Sequence, residues 1–437
     1  MAKNLNKKFI NLSEKFIAGS NMLLSKNRNI FSPNSWPTYY KKAKGCYIWD
    51  LNGKKYLDMC VMGVGTNLLG YSVNKIDNSV IRALKQSNMS TLNCPEEVML
   101  AKELLSLHKW AGQARFARTG ADAAAIAVRL SRVFTKKEKV IICGYHGWQD
   151  WYLAANINNK KLLNKHLFPN LKIDGIPKEY SKYTYSVNYG DLEKINKILK
   201  KDKQIGTIIM EVSRNKKVDI RFLKEIRKIT TKKKISLVFD ECTSGFRENL
   251  GGYHKIININ PDIATFGKAL GNGYAITAVI GKKEIMRSFK HTFISSTFWT
   301  ERSGYVAALK TISILKKKKP WQQIISKGKM IKKKWKEISK KYSIPIEIFG
   351  LDAIPSFTFL DKDKNLLYKT YLTQQLLKSN ILASNMIFVS TAHSTKDLKK
   401  YFQNFDKVFK ELSLLNIKQI KKKIFGKICF NSMARLN

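Results

Sequence analysis

The chain has 437 residues, more than one hydrophobic core usually serves, and its 44% hydrophobic and 11% aromatic composition is that of an ordinary globular protein, so two or more folded units are expected. No apolar stretch approaches the roughly 20 residues that span a bilayer, and the opening Met-Ala-Lys-Asn-Leu-Asn-Lys-Lys-Phe-Ile lacks the apolar run of a signal peptide. The expectation is a cytoplasmic protein with no membrane partner.

The first 40 residues are polar and rich in Asn and Lys, with one weakly amphipathic stretch. Cys46 to Asp58 then reads as two short strands flanking an Asp-Leu-Asn-Gly turn, a hairpin signal. From about Val98, helical segments alternate with the apolar runs Val140-Ile141-Ile142, Ile208-Ile209-Met210 and Leu237-Val238-Phe239. Short apolar runs separated by helices predict parallel strands buried on both faces, an α/β fold. Beyond Lys316 the charge density rises, and a smaller unit is expected with a strand at Ser356 to Leu360 and amphipathic helices near Tyr368 to Ser379 and Leu398 to Leu415.

Eighty Lys and Arg against 32 Asp and Glu give a formal net charge of +48, which raises the question of a polyanionic partner. The basic runs 232–234, 316–319, 332–334 and 421–423 are scattered and built of Lys, with no RNA-binding aromatic motif or zinc finger among them. Solvated surface charge is the simpler reading, and nucleic acid is not an expected partner. The six cysteines form no C-x-x-C pair, which fits reduced, buried thiols better than a disulfide framework or a metal site.

Five segments carry chemistry. Thr119-Gly120-Ala121-Asp122 opens a run of strong helix formers, and unpaired N–H groups at such a turn suit a phosphate dianion; a plain helix cap is the alternative. Gly144-Tyr145-His146-Gly147 follows the Val140 strand, where Tyr145 can cover one face of a planar ring or simply fill a turn. Asp240 ends an apolar strand, and a carboxylate buried there needs a cation; a protonated pyridine nitrogen is one such partner and Arg247 another. Lys268 stands in Thr-Phe-Gly-Lys-Ala-Leu-Gly-Asn-Gly, a setting that singles it out among 80 basic residues. The hydroxyls of Ser295-Ser296-Thr297 can reach a phosphate, or belong to an ordinary Ser-rich loop. A lysine able to bond an aldehyde and an acid able to hold a pyridine nitrogen are the pair that pyridoxal phosphate (PLP) chemistry requires.

In this order the segments resemble class III aminotransferases of the fold-type I PLP enzymes, especially the branch of glutamate-1-semialdehyde aminomutase. The resemblance rests on Y-I-W-D-L-N-G-K-K-Y-L-D, G-Y-H-G, D-E-C-T-S-G-F-R, P-D-I-A-T-F-G-K-A-L-G-N-G-Y and the S-T-F segment. It implies a mostly parallel sheet flanked by helices in a large domain at 86–315. A smaller α+β domain would be made by the start (1–85) and the end (316–437) of the chain. Lys268 would hold PLP covalently and then act as acid and base, and Asp240 would bind the pyridine nitrogen. Tyr145, with His146 beside it, would stack on the ring. Cys242, where the family usually has Val, would lie on the opposite face. Gly120 and Ala121 would cradle the phosphate where the family reads S-G-T, and Thr297 would reach it from the other subunit of a homodimer.

Departures concern the substrate. Val64-Gly65-Thr66 replaces the aminomutase W-G-P, Glu211-Val212-Ser213-Arg214-Asn215 replaces E-P-V-A-G-N, and Trp299-Thr300-Glu301-Arg302 replaces S-G-N-P. A transaminase moving an amino group from a small-molecule donor to another carbonyl acceptor is therefore favoured over the aminomutase, and the S-S-T-F-W-T-E-R rim resembles members tied to sugar or cell-surface glycan metabolism. Arg28, Arg214 and Arg302 are candidates for holding a substrate carboxylate.

Overall fold

The computed structural model describes residues 5–157 and 174–430. Two compact units divide the described residues, one made of those up to Val73 together with 322–430, the other running from Asn74 to Trp321. The divisions fall at 73/74 and 321/322 rather than at 85/86 and 315/316. Helix Asn74–Leu84 buries Ile76, Val80 and Ala83 along one face and packs against helix Arg302–Lys318 of its own unit, which moves both limits outward from the sequence expectation.

In the first unit, β1 (Tyr40–Lys44), β2 (Tyr47–Asp50) and β3 (Lys55–Met59) form an antiparallel meander. The predicted turn lies between β2 and β3. Asp50 Oδ1 accepts the N–H groups of Asn52 and Lys54, both at 2.9 Å, while Gly53 takes φ +85°. Asp and Gly are therefore required there, one to mimic a backbone acceptor and the other to enter left-handed space.

The second unit carries β4 (Gln113–Ala117), β5 (Lys139–Cys143), β6 (Thr184–Ser186), β7 (Ile205–Glu211), β8 (Ser236–Glu241), β9 (Ile263–Phe266) and β10 (Thr277–Gly281). They form one sheet in the order β4-β10-β9-β8-β7-β5-β6, in which β10 is antiparallel to both neighbours and the remaining pairs are parallel. Alternation along each strand serves two cores. Val140, Ile142, Ile209 and Val238 meet helix Gly120–Thr135 through Ala123, Ala124, Ala127 and Val128. Ile141, Ile208, Leu237 and Phe239 point the other way, toward Ile195 and Leu199 of helix Leu192–Lys201 and Leu223 and Ile226 of helix Ile220–Lys232. Burial on both faces is why these strands read as continuous apolar runs.

Back in the first unit, β11 (Ile346–Phe349) pairs with β12 (Ser356–Phe359), and β13 (Ile381–Ala383) runs parallel to β3 with Ile381 opposite Leu57. Helix Thr395–Leu414 starts at a capping box of Ser394 and Asp397 and buries Leu398, Tyr401, Phe405, Val408 and Leu412 at helical spacing. The Trp335 indole, fully buried on helix Trp321–Lys341, donates to the Tyr401 hydroxyl at 2.9 Å.

Three of the basic runs end helices. Lys232, Lys316 to Lys318 and Lys421 to Lys423 occupy last turns and are exposed, where the negative end of the helix dipole favours cations.

Candidate active site

Parallel strands deliver their carboxyl ends to one edge of the sheet. Because β10 alone is reversed, β4, β5, β7, β8 and β9 all end on that edge, where β8 itself carries Asp240 and the loops that leave β4, β5, β7 and β9 carry Thr119-Gly120, Tyr145-His146, Arg214 and Lys268. Such an edge is where open α/β sheets bind ligands.

Asp240, the penultimate residue of β8, is 4% exposed. Its Oδ2 lies 2.8 Å from His146 Nδ1, and its Oδ1 accepts from the Cys242 N–H and the Thr265 hydroxyl, each at 3.0 Å. Burial by itself would raise this acid. The His146 hydrogen bond and positive character, the Cys242 N–H and the Lys268 ammonium outweigh it and hold the carboxyl below its ordinary value. A buried anion thus stays ionised. The basic side chain it meets within the chain is His146, not Arg247, whose Nε donates instead to the Thr243 carbonyl at 2.6 Å.

Lys268 follows β9 and Gly267 in the left-handed region, φ 42°, and opens the short turn Lys268–Gly271. Its ammonium is half-buried and donates to Thr243 Oγ1 at 3.0 Å. Cys242 is buried beside the carboxylate, its Sγ 3.6 Å from Thr265 Oγ1. Burial, with the Asp240 charge adding to it, drives this thiol well above its usual pKa, so it is a neutral, space-filling group.

The helix that begins at Gly120 is capped by Thr119, whose hydroxyl accepts the Asp122 N–H at 3.1 Å and whose carbonyl accepts Ala123 N–H at 3.1 Å. An α-helix leaves its first N–H groups without internal partners, and here those belong to Gly120 and Ala121. A side chain on Gly120 would meet Cys242 Sγ at 3.4 Å and one on Gly267 would meet it at 3.5 Å, so both glycines leave the space above the thiol open. Gly147 has φ +118°, and a Cβ there would come within 2.6 Å of the Ala121 Cβ; only glycine lets this loop touch the start of the helix. The Tyr145 N–H donates to Glu211 Oε2 at 3.1 Å and its ring meets Tyr152 edge-on at 5.8 Å, fixing the loop between helix and sheet.

The other candidates are placed differently. Arg214, 6% exposed, lies in the segment after β7. Arg302 forks onto Glu96 with contacts of 3.0 and 2.7 Å. Arg28 belongs to the first unit and holds Glu14 at 2.9 Å. Thr297 is exposed at the start of the turn Thr297–Thr300.

Three residues of the site were given no role in the sequence: Thr243, Thr265 and Glu211. A signal existed for two of them. Glu211 ends an apolar strand just as Asp240 does, and Thr265 is a hydroxyl inside a fully buried strand, in register with Asp240. Thr243 gave none, because its bond to Lys268 joins residues 25 apart.

This arrangement suits PLP. The coenzyme asks for an amine, an ionised acid for its ring nitrogen, an open floor for the ring and N–H donors for its phosphate, all supplied along one sheet edge.

Comparison with known proteins agrees. The "Aminotransferase class-III" family profile matches residues 30–413. A 3-aminobutyryl-CoA aminotransferase of Cloacimonas acidaminovorans (strain Evry) is 31% identical over 382 residues, covering 84% of this chain and 88% of its own. A glutamate-1-semialdehyde 2,1-aminomutase of Nitrosopumilus maritimus (strain SCM1) is 33% identical over 392 residues, with 84% and 90% covered. Among solved structures, the FumI protein of Sphingopyxis sp. MTA144 superposes with a TM-score of 0.84 at 22% identity over 93% of this chain and 96% of that one. An omega-transaminase from Sphaerobacter thermophilus gives 0.83 at 18% over 96% and 98%. At those identities the structural likeness establishes the fold, fold-type I, and the family match establishes the chemistry. The protein belongs to the class-III aminotransferases, enzymes that depend on pyridoxal phosphate.

Proposed function

We propose that the protein transfers an amino group from a small-molecule donor to a carbonyl acceptor other than glutamate 1-semialdehyde, with sugar or glycan precursors as the acceptor class. The observation that carries the transfer chemistry is Asp240: a buried acid kept ionised on the same sheet edge as the Lys268 amine. PLP, when bound, supplies an aldehyde that condenses with primary amines and a ring that accepts the electron pair left when a proton departs. Lys268 would be the amine that bonds that aldehyde and the group that moves the proton at the reacting carbon. Asp240 would hold the ring nitrogen in its protonated form, with His146 steadying the carboxylate. Gly120 and Ala121 would hold the phosphate through backbone N–H groups, and Tyr145 and Cys242 would bound the two faces of the ring.

Arg214 is the favoured carboxylate holder of the three arginines, since it is buried in the segment that leaves β7 at the same sheet edge as Asp240 and Lys268. A homodimer, in which Thr297 reaches the partner's phosphate, is supported by an exposed apolar rim around that residue, with Phe293 at 82% and Phe298 at 67% exposure. Cytoplasmic residence is supported by six cysteines that are all unpaired.

The second reading is the aminomutase, favoured by the 33% identical relative that bears that name. A half-reaction screen separates the two. The visible band of the coenzyme is bleached with a panel of amino acids and amino sugars and restored with candidate aldehydes and ketones. Restoration by a keto-sugar with no 5-aminolevulinate from glutamate 1-semialdehyde supports the transaminase. The converse result replaces it with the aminomutase.

A further inference from the structure

We propose that Thr243 is a positioning residue for Lys268, its hydroxyl aiming the lysine amine in both protonation states. The inference rests on the reading of Lys268 as the PLP lysine and assigns a role to a side chain outside that set.

A lysine has four rotatable side-chain bonds, and a free amine at its end samples many directions that do not face a ligand. Lys268 is instead tied to Thr243 Oγ1 at 3.0 Å. The acceptor is itself immobile. Thr243 is 4% exposed and β-branched, which restricts its χ1, and it sits in a turn pinned from several sides. The Thr243 carbonyl accepts from Arg247 Nε at 2.6 Å, Gly245 N–H closes on the Glu241 carbonyl at 2.8 Å, and Ser244 Oγ donates to Glu241 Oε2 at 3.0 Å. A Cβ at Gly245 would meet that same carbonyl at 2.7 Å and the Phe266 ring at 2.8 Å, so the turn lies directly against β9, the strand that ends just before Lys268.

Chemistry explains why a hydroxyl suits this position. It accepts from an ammonium and can donate its own proton to the lone pair of a neutral amine. An ionised carboxylate favours the charged form and offers no proton to the lone pair of the neutral one, and an apolar side chain would hold neither. Thr243 can therefore keep the amine in place while it loses a proton to become a nucleophile and while it carries a proton afterward. Titratable groups near the pair include Asp240 on β8 and Cys242 and Arg247 on the turn, and they are common to every variant below.

The test is the pH dependence of Lys268 labelling in coenzyme-free protein, read by mass spectrometry after brief reductive methylation with formaldehyde. Wild type, Thr243→Val, Thr243→Ser and Thr243→Ala are compared. Loss of the acceptor disfavours the ammonium, so the labelling midpoint of the Val and Ala variants is expected to fall by about half a pH unit or more, with Ser staying at the wild-type value. In a second measurement, the rate at which added PLP develops its visible band is expected to drop about tenfold in Val and Ala and less than about threefold in Ser. Pyridoxamine phosphate, which lacks the aldehyde, is expected to bind all four proteins alike. Identical midpoints and rates across the series overturn the proposal, as does a Ser variant that behaves like Val, since shape and not the hydroxyl would then matter. The Ala variant and the Ser comparison keep the test decisive if Val fails to fold. A wild-type protein that forms no visible band removes the coenzyme reading, while the labelling midpoints still decide the role of Thr243.

Discussion

His146 Nδ1 and Asp240 Oδ2 lie 2.8 Å apart, with side-chain exposures of 0% and 5%. The two residues come from different strands, His146 from the loop after β5 and Asp240 from the end of β8, and neither can be solvated if the other is removed. The pair therefore links the integrity of the sheet edge to the charge state of the acid.

His146→Ala leaves a buried carboxylate without its strongest donor. A loss of about 2–3 kcal/mol in urea unfolding is expected, together with weaker PLP retention on dialysis. His146→Asn, which can present an N–H near the same place, is expected to recover more than half of both. Equal losses in the two variants would show that ring packing, rather than the donor, sets the effect.

Asp240→Asn keeps the shape and one acceptor oxygen for the Cys242 N–H and the Thr265 hydroxyl, but removes the charge and turns the other oxygen into a donor. Stability should change by less than in His146→Ala, whereas turnover with a donor found in the half-reaction screen should fall roughly 10²–10³-fold. Comparing kcat with unfolding midpoints on the same preparations checks this.

Two buried histidines predict acid sensitivity above the range where carboxylates titrate. Burial pushes His393 down to about 4, with Lys327 adding to it and the Asp58 carbonyl and Asp397 opposing; burial likewise pushes His108 down to about 4. His393 is held neutral from both sides, Nδ1 accepting the Ser390 N–H at 3.2 Å and Nε2 donating to the Asp58 carbonyl at 2.8 Å. Between pH 4 and about 6.5 the unfolded chain binds protons that the folded chain refuses, so stability is full above about 6.5 and declines as pH falls toward 4. At pH 5 the decline amounts to roughly 2 kcal/mol per histidine. Urea titrations at pH 7 and pH 5 should show it, and His393→Gln should reduce the difference.

Gly147→Ala forces a side chain into φ +118° and against Ala121. A cost of about 2–3 kcal/mol is expected, and because the displaced atoms start the Gly120 helix, phosphate anchoring should weaken with it. Inorganic phosphate competition against PLP binding measures the second effect separately from the unfolding midpoint.

The central strands β5, β7 and β8 of the large unit were legible in the sequence because burial on both faces writes continuous apolar runs, whereas β4, β6 and β10 were not read. Asp240 and Lys268 stood out because a charge at the end of such a run, or between glycines, has no cheap structural excuse. The hairpin at Asp50 was legible for a related reason: an Asx turn and a left-handed glycine are local demands. Tertiary structure alone decided the rest. The identity of the Asp240 partner as His146, the hydrogen bond from Lys268 to Thr243, and the inclusion of helix Asn74–Leu84 in the large unit join residues far apart in the chain. Local composition specifies periodicity and turn chemistry, whereas a long-range pairing depends on strand order. In this sheet that order is 4-10-9-8-7-5-6, set by how crossovers pack rather than by any single segment.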